Sequence, residues 1–227
     1  MPVGLVNLGN TCYLNSTLQI FRKIPELKES IVSGDLLQNP QRNFVTTLKH
    51  LLTSLDNAGD AVEPYDFLNT FFGEFPQFAE KGQHGGFQQQ DADECFQNLL
   101  TVLETTLTSK KNKGGNVIED LFRFNIVFEL SNREDETEAK TQTYEVFRKL
   151  GCLIDNQANP VNTLAEGIEA GLGEEIEKFS EVNNRNCFYK KQGKIATLPK
   201  YLIVQKLRFI WKGADDGSMT EARKAKI

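Results

Sequence analysis

Hydrophobic residues recur at helical spacing through the first half of the chain. Leu14, Leu18 and Phe21 form the first series, and Pro25 predicts either the end of that helix or the start of another. Three further series of apolar residues with the same spacing predict helices over 41–55, 64–72 and 91–107. The pattern therefore predicts a helical first half.

The spacing changes to that of β-strands after the polar stretch 109–116. Every second residue from 122 to 130 is apolar, namely Phe122, Phe124, Ile126, Phe128 and Leu130. The run 131–142 is too polar to bury and predicts a turn into a second strand over 143–154. This part of the sequence therefore predicts a long β-hairpin.

Two more elements are predicted toward the end of the chain. Thr163 and Glu166 have the spacing of a capping box, which would open an amphipathic helix extending to Ile176. The apolar run 198–211 predicts a strand buried on both faces. Such a strand needs neighbours on both edges, so we expect the domain to be incomplete at its C-terminal end. The predicted fold class is α+β, with a helical subdomain over 1–112 and a β-rich subdomain over 113–227.

Composition narrows the classes of partner and cellular location. The net charge of −5 favours neither nucleic acid nor an anionic membrane, and no segment has the length of a membrane span. The cysteines form no C-x-x-C pair, so we expect no disulfide framework, no metal and no other cofactor. Reduced thiols indicate the cytoplasm, with the nucleus as an alternative.

The segment GLVNLGNTCYLNS, residues 4–16, places a cysteine at a predicted helix start. Asn10 and Thr11 are favourable N-cap residues, so Cys12 would lie in the first turn, where the helix dipole favours a thiolate. The amide of Asn7 is a hydrogen-bond donor that can stabilise an oxyanion beside such a nucleophile. Cys12 is therefore a candidate nucleophile, and the alternative is a small buried hydrophobic residue.

A cysteine nucleophile needs a base, and the sequence contains two histidines. His50 falls on the polar side of the helix predicted over 41–55 and is interpreted as a surface residue. His84 lies in a glycine-rich loop and is the candidate partner of Cys12 on the residues alone, although a flexible loop supports a general base poorly. The residues alone leave the identity of the base open.

A second polar segment, FQQQDADECFQNLL, combines three consecutive glutamines with acidic residues at a predicted helix start. Acidic side chains there stabilise the helix dipole, which explains Asp91, Asp93 and Glu94 without any further function. The glutamines are not explained in this way, because amides and carboxylates together can hold an extended basic peptide. Both interpretations of this segment stay open.

Three motifs, in this order, resemble those of one enzyme family. GLVNLGNTCYLNS resembles the cysteine box of the ubiquitin-specific proteases, QQQDADE resembles their glutamine and acidic box, and LPKYLIVQKLRF resembles a strand motif of their palm. FPQFAEKGQHGGFQQQDADEC and the ending VQKLRFIWK are similar to the proteasome-associated branch of that family. The resemblance implies a papain-like cysteine protease fold with a helical thumb, β-sheet fingers and a palm.

The resemblance also implies roles for individual residues. Cys12 takes the place of the nucleophile, and Asn7 takes the place of the oxyanion-hole amide. The range 213–224 falls where the proteasome-associated branch carries a mobile loop that can block the substrate groove. The residues in the places of groups that bind the extended C-terminal tail of ubiquitin are Tyr13, Gln89, Asp91 and Glu94.

Three features of the family are expected to be missing from this chain. The catalytic histidine, in a Gly-His-Tyr context, and its orienting Asp or Asn are expected downstream of Ile227, so the 227-residue chain alone is expected to be inactive. The paired cysteines that bind zinc in the fingers of many members are absent. A ubiquitin-like domain that docks the proteasome-associated branch would precede Met1.

The motifs together predict a deubiquitinating thiol protease that hydrolyses the amide or isopeptide bond after the C-terminal glycine of ubiquitin. The expected partners are ubiquitin and its conjugates, and the 26S proteasome through the ubiquitin-like domain. Nucleic acid and membranes are not expected as partners. The alternative function is a ubiquitin-binding module without catalysis.

Overall fold

The structure is a computed structural model that describes residues 3–34, 36, 41–82, 85–107, 115–154, 161–207, 209–212 and 223–226. Backbone contacts divide the chain into two compact units, residues 1–121 and 122–227. The first unit is helical and the second is built mainly from strands, which confirms the predicted α+β class. This division falls after Leu121, whereas the sequence predicted it after residue 112.

The predicted helices of the first half are present. The elements are α1 (Cys12–Lys23), α2 (Pro25–Ser33), α3 (Arg42–Asn57), α4 (Tyr65–Glu74), a 3₁₀ turn (Pro76–Ala79), α5 (Ala92–Thr106) and α6 (Val117–Phe122). Pro25 begins α2, and Pro64 occupies the N-cap position of α4. None of the helices that the structure describes is long and apolar enough to cross a membrane.

An aromatic cluster fills the core of the first unit. Phe71 of α4 is fully buried, and its ring centroid lies 5.1 Å from that of Phe78 and 5.3 Å from that of Phe75. Tyr13 of α1 stacks on Phe78 with the centroids 5.5 Å apart. The helix that begins at Cys12 is therefore attached to the core through its second residue.

The second unit is built from β1 (Phe124–Asn132), β2 (Thr141–Phe147), β3 (Leu150–Leu153), α7 (Leu164–Gly171), β4 (Gly173–Ser180), β5 (Arg185–Ile195), β6 (Val204–Leu207), β7 (Phe209–Lys212) and β8 (Arg223–Lys226). Four of the strands form an antiparallel sheet with the order β2-β1-β5-β4. In addition, β3 pairs in parallel with β6, and β7 pairs in antiparallel with β8. The apolar face of β1 packs against Phe147, Ile168 and Leu172.

The predicted hairpin is confirmed in its first part. Strands β1 and β2 pair in antiparallel, with Phe124 opposite Phe147 and Leu130 opposite Thr141. The prediction of one strand over 143–154 is wrong, because the chain leaves β2 at Phe147 and enters β3, which pairs with β6. Strand β6 is half-buried or exposed, whereas the apolar run predicted burial on both faces. An apolar run by itself does not show whether other elements cover both faces of a strand.

The helix that follows the predicted capping box is shorter than expected. The hydroxyl of Thr163 accepts a hydrogen bond from the N–H of Glu166, whose carboxylate accepts one from the N–H of Thr163, so the capping box is confirmed. Ile176 lies in β4 and not in α7. A Cβ atom on Gly167 would lie 2.3 Å from the carbonyl oxygen of Leu153. This glycine therefore permits the close approach of α7 to β3.

The turns of the two hairpins β1–β2 and β4–β5 are joined by hydrogen bonds to one carboxylate. Glu138 accepts from Nδ2 of Asn132 (2.7 Å), Oη of Tyr189 (2.7 Å), Oγ of Ser180 (2.8 Å) and Nδ2 of Asn183 (3.4 Å). We call these five residues the tip network. The hydrogen bond from Asn132, together with those from Tyr189 and Ser180, holds the pKa of Glu138 below its usual range.

Glu138→Gln is expected to lower the melting temperature near neutral pH, because an amide nitrogen cannot accept hydrogen bonds from the donors of the tip network. The pKa of Glu138 is lower in the folded protein than in the unfolded one. Its stabilising contribution is therefore present above the unfolded pKa of about 4.3 and is lost as the pH falls through the folded pKa. Thermal unfolding followed by circular dichroism should show the difference between wild type and variant shrinking in acid.

Glu136→Gln is the matched control for this measurement, since Glu136 is exposed in the same connection and lies outside the tip network. It should leave the melting temperature close to that of the wild type. Equal losses in the two variants would contradict the role of Glu138.

Candidate active site

The segment before α1 has a path fixed by hydrogen bonds. The N–H of Val6 donates to the carbonyl oxygen of Val62 (2.9 Å), and the N–H of Val62 donates to the carbonyl oxygen of Gly4 (3.0 Å). From α1, Nδ2 of Asn15 donates to the carbonyl oxygen of Val6 (3.2 Å). These bonds bring the next residue, Asn7, to the start of α1.

The side chain of Asn7 closes the loop that precedes Cys12. Its Oδ1 accepts hydrogen bonds from the N–H of Gly9 (3.1 Å), the N–H of Thr11 (3.1 Å) and the hydroxyl of Thr11 (3.2 Å). Gly9 and Asn10 have φ angles of 96° and 53°, and this left-handed backbone allows the tight turn. All three donors bond to Oδ1, so the Nδ2 group takes no part in these bonds. Because the Asn7 side chain is exposed, Nδ2 can donate to a group outside the loop.

Cys12 is the first residue of α1 and is exposed. Thr11 occupies the N-cap position, but the first turn of α1, all of which the structure describes, receives no capping hydrogen bond from its side chain. The predicted N-cap position of Thr11, with Cys12 in the first turn, is confirmed, but the side chain of Thr11 does not cap the helix. The Thr11 hydroxyl turns to Asn7, and the Asn10 amide turns to Phe87. An uncapped helix start leaves N–H groups and the positive end of the dipole available to a thiolate.

The remaining cysteines are buried. Cys95 of α5 is fully buried, and burial raises the pKa of its thiol to about 12. Cys152 and Cys187 are also buried, in the second unit. A buried thiol in apolar surroundings forms little thiolate and is hard for a substrate to reach. Exposure at a helix start therefore distinguishes Cys12 from the other cysteines.

Asn10 connects the cysteine motif to the glutamine-rich motif. Its Nδ2 donates to the carbonyl oxygen of Phe87 (2.8 Å), a residue 77 positions away in the sequence. The Lys81 ammonium lies 3.6 Å from the centroid of the Phe87 ring. A cavity of about 570 Å³ opens at this junction and is lined by Asn10, Lys81, Gly82, Gly86, Phe87, Gln88 and Gln89. Two motifs that the sequence places far apart thus line one cavity.

The predicted tail-binding residues of the second motif are all exposed. Gln89 lines the cavity beside Asn10. Oδ1 of Asp91 accepts a hydrogen bond from the N–H of Asp93 (2.8 Å), so Asp91 is the N-cap of α5. Glu94 lies in the first turn of the same helix. The acidic residues therefore lie at a helix start, as the sequence predicted, and binding of a peptide by these three residues stays a prediction.

Tyr13 is buried, whereas the sequence predicted a residue that lines an open groove. Its side chain is 4% exposed, and its hydroxyl has no hydrogen-bond partner among the described residues. Burial raises the pKa of this hydroxyl. Consecutive helical residues differ in direction by about 100°. Cys12 can therefore be exposed while Tyr13 points into the aromatic core and anchors α1.

The structure assigns no base. His50 is exposed on α3, as the sequence predicted, and His84 lies outside the described residues. Of the predicted blocking loop, 213–222 also lies outside the described residues, and the last two positions belong to β8. Among the described residues no three His, Cys, Asp or Glu side chains are grouped so that they could hold a metal ion. The expectation of no cofactor stays a prediction.

Sequence reasoning missed what the side chains of Asn10 and Thr11 do. Short polar residues before a helix usually cap it, so the sequence favoured capping. In the structure the two side chains bond to Asn7 and Phe87 instead. The Gly-Asn pair at 9 and 10 was an available signal, because both residue types tolerate left-handed backbone. It predicts a tight turn, within which Thr11 bonds to Asn7, whereas the bond of Asn10 to Phe87 is a tertiary contact that a local pattern does not show.

Comparison with known proteins identifies the family of this chain. The profile of the family described as "Ubiquitin carboxyl-terminal hydrolase" matches residues 3–226. Ubiquitin carboxyl-terminal hydrolase 6 of Schizosaccharomyces pombe is 36% identical, over 100% of this chain and 46% of the relative. The Arabidopsis thaliana protein of the same name is 38% identical, over 92% of this chain and 44% of the relative.

Ubiquitin carboxyl-terminal hydrolase 14 of Caenorhabditis elegans is 32% identical, over 93% of this chain and 42% of the relative. The chain therefore spans less than half the length of these curated relatives. The family profile nevertheless covers almost all of the chain, including the cysteine motif, the glutamine-rich motif and the strands that follow. The protein belongs to the ubiquitin carboxyl-terminal hydrolase family.

Proposed function

We propose that this chain provides the nucleophile of a cysteine-type deubiquitinating peptidase, which hydrolyses the bond after the C-terminal glycine of ubiquitin. The observation that supports this most directly is the exposed Cys12 at an uncapped helix start, preceded by the Asn7 amide with its oxygen fully engaged. Family membership and the names of the relatives support the same reaction. Because those relatives are more than twice as long, the activity concerns the full-length protein.

In the proposed mechanism, the Cys12 thiolate attacks the carbonyl carbon of the terminal glycine. The carbonyl oxygen becomes an oxyanion, to which Nδ2 of Asn7 donates a hydrogen bond. The carbon–nitrogen bond then breaks, the amine leaves after protonation by a general acid, and ubiquitin is held as a thioester on Cys12. Water hydrolyses the thioester and restores the thiol. By family resemblance the general acid and base is a histidine downstream of Ile227.

The exposed residues of the second motif suit the tail of the substrate. That tail is extended and contains arginine, and carboxylates are the preferred partners of guanidinium groups. We therefore assign Asp91 and Glu94 to arginine binding and Gln89 to the peptide backbone. Tyr13 would support the site indirectly, because its buried ring anchors α1 in the aromatic core.

Two finer features belong to the same proposal. We place the protein in the proteasome-associated branch because of the stretch from Phe75 to Cys95, so the 26S proteasome is a proposed partner. We propose a cytoplasmic or nuclear location, supported by four cysteines that form no disulfide. Neither feature is needed for the chemistry at Cys12.

A ubiquitin that carries a C-terminal electrophile is expected to label the full-length protein at Cys12, because this thiol is exposed and the others are buried. Mass spectrometry of the digested adduct identifies the modified cysteine. Ubiquitin that lacks its last two residues and carries the same electrophile serves as the control, and it should label much more slowly.

Labelling at Cys95, Cys152 or Cys187 would contradict the proposal. Binding of ubiquitin with no labelling and no turnover would instead support the alternative, a ubiquitin-binding module without catalysis. A fluorogenic ubiquitin substrate tests the 227-residue chain alone, which is expected to be inactive. Turnover by that chain would show that the base lies within it and would make His84 the first candidate.

A further inference from the structure

We propose that Thr11 is a positioning residue, which holds the Asn7 amide in the orientation needed to bind the oxyanion. The inference rests on the proposed roles of Cys12 and Asn7. The side chain of Thr11 is buried, although the next residue, Cys12, is exposed. Its backbone occupies the N-cap position of α1, yet its hydroxyl makes no capping bond to that fully described first turn. This hydroxyl bonds to the preceding loop instead.

The direction of the hydrogen bonds fixes the hydroxyl proton of Thr11. Oγ1 of Thr11 accepts from the N–H of Leu8 (3.1 Å) and lies 3.2 Å from Oδ1 of Asn7. An N–H group only donates, and an amide oxygen only accepts. The proton of the Thr11 hydroxyl therefore points to Oδ1 of Asn7. The chain of donors runs from the Leu8 N–H through the Thr11 hydroxyl to the Asn7 amide.

This arrangement determines the orientation of the Asn7 amide. Two backbone N–H groups and the Thr11 hydroxyl donate to the same oxygen, which opposes rotation and flipping of the amide plane. Nδ2 is then held in one direction before any substrate binds. Preorganised donors of this kind stabilise a transition state because they need no rearrangement as charge develops. Of the three donors, the hydroxyl is the one that a side-chain substitution removes.

Thr11→Val tests the proposal, since valine keeps the branched shape and loses the hydroxyl. In the full-length protein, kcat for a fluorogenic ubiquitin substrate should fall about tenfold, which is comparable to the loss when a hydrogen-bond partner that orients a metal ligand is removed. KM should stay within about twofold, because the interaction is made in the transition state. Thr11→Ser retains the hydroxyl and should keep kcat within about threefold of the wild type.

Thr17→Val is the matched control. Thr17 is a second buried threonine, six positions further along the sequence in α1, and its hydroxyl donates to the carbonyl oxygen of Tyr13 (3.0 Å). It makes no bond to Asn7 among the described residues. This variant should leave kcat unchanged. A tenfold loss in Thr17→Val as well would show that loss of any buried hydroxyl in α1 has this effect, and would overturn the inference.

A double-mutant cycle separates failure of the inference from failure of the proposed function. Asn7→Ala should lower kcat about a hundredfold with little change in KM, the usual cost of one oxyanion donor. In that background Thr11→Val should cost nothing more, because no amide is left to position. The same loss in both backgrounds would make Thr11 merely structural. An unchanged kcat in Asn7→Ala would instead contradict the proposed role of Asn7.

A measurement on the wild-type protein does not depend on whether the variants fold. Nitrogen relaxation of the Asn7 side-chain amide should give an order parameter of about 0.8, typical of a rigid group. A value below about 0.6 would show a mobile amide and would overturn the inference.

Discussion

Replacement of Cys12 by alanine is expected to reduce the turnover of a ubiquitin substrate about 10⁴-fold or more, because the variant has no nucleophile to form the thioester. The measurement is kcat/KM of the full-length protein with a fluorogenic ubiquitin substrate. Removal of one exposed thiol should change the affinity for ubiquitin little, so calorimetry of the same variant should still detect binding.

Cys95→Ala is the matched control for this experiment, because it removes the other thiol of the helical unit. Cys95 is fully buried, and burial raises its pKa to about 12, so it contributes little thiolate near neutral pH. The variant should melt at a lower temperature and should keep its turnover per folded molecule. Turnover that survives in Cys12→Ala and disappears in Cys95→Ala would assign the nucleophile to Cys95.

Phe71→Ala is expected to lower the free energy of unfolding by about 3–5 kcal/mol, the usual cost of removing a buried phenylalanine. Phe71 is fully buried, and its ring contacts include those of Phe75 and Phe78. The cavity would also weaken the support beneath Tyr13, which stacks on Phe78. Urea denaturation of wild type and variant measures the difference.

Tyr65→Ala controls for the loss of an aromatic side chain from the same helix. Tyr65 begins α4 and is 54% exposed. Its replacement should change the free energy of unfolding by no more than about 0.5 kcal/mol. Similar losses in Phe71→Ala and Tyr65→Ala would show that the aromatic cluster is not the main source of stability in this unit.

Local patterns were sufficient for the helices and for the first hairpin. Helices α1, α3, α4 and α5 bury the residues that recur at helical spacing, and β1 buries alternate residues on one face. These elements each have one apolar face, which a short window of sequence reveals.

Local patterns failed where partners are distant in the sequence. The chain over 173–195 forms β4 and β5, and both strands expose apolar side chains such as Phe179 and Phe188, so no clear alternation marks them. Ile176 continued the apparent helical spacing of α7, and only its pairing opposite Tyr189 shows that it belongs to a strand. Strand pairing is a long-range property that a short window does not contain.

The sequence likewise identified only part of the candidate site. Cys12, Asn7 and the glutamine-rich motif were found from residue type, order and resemblance to a family. The burial of Tyr13 and the partners of Asn10 and Thr11 were not found. The burial of Tyr13 against Phe78 and the bond of Asn10 to Phe87 depend on residues distant in the sequence. Thr11 bonds to Asn7 within the same loop, but residue type did not show whether its hydroxyl would bond there or cap α1.

Residue types and periodicities within short segments are enough to identify the family, the α+β class and Cys12 as the candidate nucleophile. The bond of the Thr11 hydroxyl to Asn7 spans only four residues, but the structure is needed to show that this bond forms in place of a cap on α1. Folding also leaves Cys12 exposed while it buries the other cysteines, and it brings the Asn10 amide to the carbonyl of Phe87, 77 positions away. Burial and contacts of this kind are set by neighbours far apart in the chain, which meet only when the chain folds.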